Sequence, residues 1–254
     1  MRVLVTRPLR EALSWCAQLC AHGVPAEPLP LIEIAPVDPA PLRQAWEELP
    51  ACRAAMFVSA NAVDALFSAR PGAMPWPAAT RAWATGPGTV RALRAAGVPQ
   101  AGIDAPDDGA AQFDSEALWQ RVGVHAMPAG TRVLIVRGAD AEGRLGGRPW
   151  LAEQLAARGV ALRQLVAYQR RLPPWDAAAR AGASAAGDGG LWLFSSSDAV
   201  RHLQRLLPGQ SWARAAALAT HARIAEAARG AGFGRVAVTQ PTLAAVLASI
   251  ESPR

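Results

Sequence analysis

A chain of 254 residues with 51% hydrophobic and 18% charged side chains is long enough for one large or two medium domains and too apolar to stay disordered. It has no apolar run of the ~18 residues needed to cross a bilayer, so no membrane span is expected. The net charge of +6 favours an anionic partner, but the basic residues are arginines scattered along the chain, which argues against a nucleic-acid surface.

The opening stretch RVLVTRP reads as a buried parallel strand that runs out into a loop, and its apolar part is too short for a secretory signal. LREALSWCAQLCAHG carries apolar residues at helical spacing and stops at Gly23. VPAEPLPLIEIAPV is extended, with prolines that confine it to a sheet edge or a connector. PAPLRQAWEELP is a short helix, and AAMFVSANAVDALFSA gives a strand, a serine loop and a helix. TRAWATGPGTVRALRAAGV repeats that order around a Gly-Pro-Gly turn, and FDSEALWQRV is a helix opened by Asp114 or Ser115. Cys16, Cys20 and Cys52 cannot all pair and are expected as buried free thiols in a reducing, cytoplasmic compartment.

The sequence then begins again. Val3 to Arg7 in MRVLVTRP matches Val133 to Arg137 in TRVLIVRG, and Gly23 matches Gly159. Phe57, Ser59 and Val63 match Phe194, Ser196 and Val200 at a constant offset of 137 residues, and Thr85 matches Thr220 at 135. Ordered matches with slowly drifting offsets mark two copies of one module. Each copy alternates strand and helix, so each predicts a parallel sheet with helices on both faces.

Ligands of such sheets sit beyond the carboxyl ends of the strands, where Arg7, Ser59, Thr85, Arg137, Ser196 and Thr220 all fall. If the two modules face each other, these loops line one cleft. Hydroxyl residues after a strand are also ordinary helix caps, so each position alone carries little. Taken together, they aim several helix N-termini at one space, which suits a polyanion.

VLVTRP, FVSANAV, ATGPGTVRAL, FDSEAL, VLIVRG, LVAYQR and FSSSDAV, in this order and spacing, resemble the uroporphyrinogen-III synthase family from Val3 to about Leu247. The resemblance implies two similar parallel-sheet α/β domains joined by a two-stranded linker, with the ligand cleft between them. Carried onto this chain, residues 1–34 and 172–254 form a discontinuous domain, 39–165 form the other, and 35–38 and 166–171 are the linker strands. It implies a cyclising lyase that closes linear hydroxymethylbilane to uroporphyrinogen III with loss of water and inversion of ring D through a spiro intermediate. No metal and no organic cofactor are implied, and the expected form is a cytoplasmic monomer without nucleic-acid or membrane partners. Transient contact with the preceding synthase is left open.

The resemblance also names residues. Tyr168, the only tyrosine, matches a candidate proton donor to the departing hydroxyl, and a phenol with pKa near ~10 stays protonated at neutral pH. Arg7 and Arg137 occupy equivalent loops, where each is open to a substrate carboxylate or to a protein ion pair. Thr6, Ser59, Asn61, Ser115, Ser195, Ser196 and Ser197 offer hydroxyl, amide or N–H donors. Thr85, Gly86, Gly88 and Thr89 form a turn that admits close backbone approach, and Gly138 follows Arg137. Thr220 and His221 stand where this turn recurs without its glycine and proline, and His221 reads there as a helix cap or as a titratable donor. His22, His125 and His202 read as surface or helix-end residues without metal spacing.

Three rivals remain open on the sequence. A non-catalytic two-lobed protein that binds a small polyanion would share the fold. A nucleotide-sugar or dinucleotide enzyme would need G-x-G-x-x-G after its strand, which neither VTRPLREA nor VRGADAEG supplies. A nucleic-acid binder is allowed by charge and disfavoured by the scatter of the arginines.

Overall fold

The computed structural model describes residues 2–107, 110, 113–122, 127–145 and 150–251. In chain order the elements are β1 (Val3–Val5), α1 (Leu9–Ala21), β2 (Ala26–Pro28), β3 (Glu33–Pro36), α2 (Ala40–Glu48), β4 (Ala54–Phe57), α3 (Ala60–Ser68), β5 (Arg81–Ala84) and α4 (Pro87–Ala95). There follow β6 (Ile103–Asp104), α5 (Ser115–Val122), β7 (Arg132–Ala139), α6 (Trp150–Ala156) and β8 (Ala161–Arg171). The last third holds α7 (Ala177–Ala185), β9 (Leu191–Phe194), α8 (Ser197–Leu206), β10 (Ala216–Ala219), α9 (Ala222–Gly230), β11 (Arg235–Val238) and α10 (Leu243–Glu251). The chain divides into two compact units, Met1–Glu33 with Arg171–Arg254, and Ile34–Arg170.

Each unit owns one sheet. The first runs β11-β10-β9-β1-β2 and the second β3-β8-β7-β4-β5-β6. The ladders of both are parallel from β1 to β2 and β9, and from β7 to β4 and β8. Neither sheet is built from one copy of the repeat. The first takes β1 and β2 from the first copy and β9 to β11 from the second, and the second takes β4 to β6 and then β7 and β8. Under the repeat, β1 corresponds to β7, β9 to β4 and β10 to β5, so the spatial order of one sheet reproduces that of the other. The strand that opens each copy pairs with the serine-loop strand of the other, so each sheet combines both copies.

The central strands β1, β4, β9 and β10 are buried on both faces, which explains their unbroken apolar runs. In the second unit Ala55, Phe57, Leu134 and Val136 face a core with Trp46, Leu66 and Leu93. The alternate residues Ala54, Met56, Val133 and Ile135 face Trp83, Leu118 and Leu155 on the opposite side. In the first unit Val3, Val5, Leu191 and Leu193 pack on Trp15 and Leu19 of α1. The other face holds Trp192, Phe194, Trp212 and Phe233, with ring centroids 5.1 to 6.1 Å apart. The proline-rich stretch supplies β2 and β3, which lie at sheet edges as their prolines require.

Several expectations change. Cys16 is buried, but Cys52 is half-buried and Cys20 is exposed on α1, so the three thiols do not share one environment. His202 is not a surface residue. It sits midway along α8, half-buried, with Nδ1 2.6 Å from the Leu31 carbonyl oxygen. His125 lies outside the described residues. Of the two residues the sequence offered for the start of α5, Asp114 is the cap, its carboxylate accepting from the N–H groups of Glu116 and Ala117. Two elements carried no sequence signal: β6 has two residues, and α7 is an alanine-rich helix capped by Asp176.

Candidate functional site

The second unit gathers its chemistry where β4, β5, β7 and β8 end. Ser59 leaves β4 with extended backbone and caps α3, its hydroxyl accepting from Ala62 N at 3.2 Å. Such a cap stabilises a helix by about 1 kcal/mol. Asn61 is the second residue of α3. Beside it, Thr85 donates to the Val58 carbonyl at 3.3 Å, and Gly86 caps α4 with Pro87 at the first helical position. A side chain at Gly86 would meet Phe113 at 3.4 Å, whereas Gly88 has nothing nearer than Arg91 at 3.8 Å. Thr89 is buried in the first turn of α4, and Ser115 opens α5 behind the Asp114 cap.

Tyr168 reaches this cluster through an irregularity in its strand. β7 and β8 pair in step from Arg132↔Ala161 to Arg137↔Val166, and then Gly138 pairs with Tyr168. Ala167 is the extra residue. In regular register Gly138 would oppose Ala167, and Tyr168 would point to the other face of the sheet. The bulge instead turns the Tyr168 ring onto the face of Phe57 and Val136, where it is 5% exposed. Its hydroxyl lies 2.9 Å from Ser59 Oγ.

Two guanidiniums accompany the phenol. Arg137 donates through Nη1 to Gln164 Oε1 at 2.9 Å, while its Nε is buried and meets no acceptor among the described residues. Burial, and after it the charge of Arg170, push the Arg137 guanidinium below the ordinary arginine range, and Tyr168 acts in the opposite direction. Arg137 remains a cation at neutral pH, and its buried unpaired N–H suits a carboxylate. Arg137 and Gly138 are not loop residues, since β7 continues to Ala139.

The first unit shows the repeat's other ends. Thr6 is buried and donates its hydroxyl to the Leu193 carbonyl at 2.8 Å. Arg7 pairs with Glu11 at 3.3 Å and lies 4.6 Å above the Trp15 ring. Ser195 follows β9, and Ser196 caps α8 by accepting from Asp198 N at 3.1 Å. The Ser197 hydroxyl is buried and unpartnered among the described residues. Thr220 follows β10, and its N–H donates to the Phe194 carbonyl. His221 is a helix cap, its Nδ1 accepting from Arg223 N at 3.1 Å, so the imidazole replaces the glycine of the other copy.

Sequence reasoning missed Arg170 and Gln164, which flank Arg137, although YQRR placed an arginine pair two positions after the tyrosine. It also missed Phe113, the ring beside Gly86. Among the described residues no group of three or more His, Cys, Asp or Glu could hold a metal ion, and no helix is long and apolar enough to cross a membrane.

With this geometry in view, the comparisons are specific. The sequence model of the family described as uroporphyrinogen-III synthase HemD matches residues 14–248. The crystal structure of uroporphyrinogen-III synthetase from Helicobacter pylori is 16% identical, with 100% of each chain covered and a TM-score of 0.59. A mutant uroporphyrinogen III synthase from the extremely thermophilic bacterium Thermus thermophilus is 19% identical over 99% of this chain and 97% of that one, with a TM-score of 0.57. At these identities the structural likeness establishes the two-sheet α/β fold.

Proposed function

The chain belongs to the uroporphyrinogen-III synthase family of cyclising lyases in porphyrin biosynthesis, and from that premise we propose that its substrate is hydroxymethylbilane and its product uroporphyrinogen III. The family match over residues 14–248 carries this reading. In the proposed reaction the terminal hydroxyl leaves ring A as water, giving an azafulvenium cation. The substituted α-carbon of ring D attacks that cation and forms a spiro pyrrolenine. Fragmentation at the spiro carbon and re-closure at the other α-carbon of ring D, with loss of the proton that carbon carried, then release the inverted macrocycle.

The electron-rich pyrroles supply the driving force once water has gone. Closure without inversion competes, so the protein's main task is to hold both rings where only the substituted carbon can attack. Tyr168 is the proposed donor of the proton that converts the hydroxyl into water, and its hydrogen bond to Ser59 orients the phenol. Arg137 is proposed to take a substrate carboxylate on its spare Nε. Backbone N–H groups of the first turns of α3 and α4 are proposed as further anion donors.

The test is an incubation with freshly prepared hydroxymethylbilane in which the type I and type III macrocycles are resolved. Type III as the main product is expected. Type I alone, formed at the uncatalysed rate, would reject the assignment.

A further inference from the structure

Tyr168 starts on β8 and ends at Ser59 beyond β4, and β7 lies between those two strands. The phenol therefore has to pass over β7, and it passes over Gly138. A β-carbon built on Gly138 would fall 2.5 Å from Tyr168 Cζ and 2.9 Å from its hydroxyl oxygen, and still closer to Cε2. These are separations that no packed side chain tolerates. Gly138 is buried and paired within the strand, and it is not among the glycines with positive φ. Its backbone conformation is therefore open to any residue, and the need for glycine here comes from the ring alone. Val136, two positions earlier on the same strand face, carries a full side chain into the core.

From this juxtaposition we propose that Gly138 is a positioning residue. Its bare Cα is the floor on which the Tyr168 ring lies, and with the Ala167 bulge and the Ser59 hydroxyl it fixes where the phenol points. The inference rests on the proposed role of Tyr168 for its catalytic consequence, and it departs from any direct contact between Gly138 and substrate. An alanine at 138 displaces the ring and separates the phenol from Ser59. A misplacement of about 1 Å at a reacting group costs roughly 10²-fold in rate.

The only tyrosine in the chain makes the test direct. Protein grown with tyrosine labelled at 13Cζ gives one ring signal. Ser59→Ala should move that signal in the wild-type background and leave it unmoved in Gly138→Ala, where the hydrogen bond is already gone. In kinetics, Gly138→Ala should lower kcat about 10- to 100-fold with KM changed less than threefold, and should cost nothing further in a Tyr168→Ala background. If Gly138→Ala does not fold, the double variant with Tyr168→Ala should, because the clash has been removed. Failure of both to fold, an equal kcat loss in both backgrounds, or a Ser59 effect on the signal that persists in Gly138→Ala would each overturn the proposal. A Tyr168→Ala enzyme at full rate would instead overturn the catalytic role of the tyrosine, and the labelled signal still reports separately whether Gly138 seats the ring.

Discussion

Thr6 and Leu193 stand 187 positions apart in the chain and are joined by a 2.8 Å hydrogen bond from the threonine hydroxyl to the leucine carbonyl. The bond ties the first strand of the protein to the strand that leads into the second serine loop. It is buried, so its loss is not made good by water. Thr6→Val should therefore lower stability by about 1 kcal/mol in urea denaturation. KM should stay unchanged, because this hydroxyl is already committed to the fold. A raised KM at unchanged stability would mean that the hydroxyl serves the ligand instead.

Tyr168→Phe keeps the ring on Gly138 and removes only the hydroxyl. The product should remain type III while kcat falls, by about 10²-fold if general-acid catalysis is its whole contribution. Ser59→Ala should fall between this variant and the wild type, since the phenol keeps its proton but loses its orienting partner. Wild-type kcat in Tyr168→Phe would remove the hydroxyl from the mechanism.

Arg137 holds a buried Nε without an acceptor among the described residues, beside a second cation, an arrangement that costs stability unless an anion arrives. Arg137→Gln should raise KM roughly 10- to 100-fold, the worth of a charged hydrogen bond, with a smaller change in kcat. Its stability should be equal to or above that of the wild type, because burial and the repulsion from Arg170 are both relieved. A drop in stability with unchanged KM would assign Arg137 to the fold.

The alternation of strand and helix, the repeat and the capping serines were legible because each is local. Ser59 and Ser196 sit at one repeat offset, and both prove to be caps with extended backbone. Gly86 and His221 share the capping role despite unlike side chains, because the position demands an N-cap and not a particular residue. What brings Tyr168 to Ser59 is not local. The bulge at Ala167 is fixed by pairing with β7, and the ring's path depends on a strand that lies 30 residues earlier in sequence at Gly138. Nothing in VAYQRR announces a register shift. The exposure of Cys20 was missed for a related reason. Both Cys16 and Cys20 fit the helical spacing, but only Cys16 falls on the stripe with Ala12, Trp15 and Leu19.

His221 caps α9 through an unprotonated Nδ1. His221→Ala should cost about 1 kcal/mol in thermal or urea unfolding, and His221→Asn or His221→Ser should restore most of it, because each offers an acceptor at the same position. Equal losses in all three would mean that the imidazole is held for something other than the cap.

Burial, with smaller contributions from Cys20 and Glu27, pushes the Cys16 thiol up from 9.0 to about 11. The folded chain thus holds this proton more tightly than the unfolded chain does. Any stability linked to Cys16 is present below pH 9 and is lost as pH rises toward 11. The same shift leaves almost no thiolate at pH 8, and the side chain is only 7% exposed. In a timed reaction with a disulfide reagent at pH 8, Cys20 should be modified first, Cys52 more slowly, and Cys16 only when the protein is unfolded in urea. Cys16→Ser should abolish the slowest phase, and it should cost more stability than Cys20→Ser, since it places a hydroxyl against Val3 and Leu19 in the core. Rapid modification of Cys16 in the native protein would contradict the packing of α1 on its sheet.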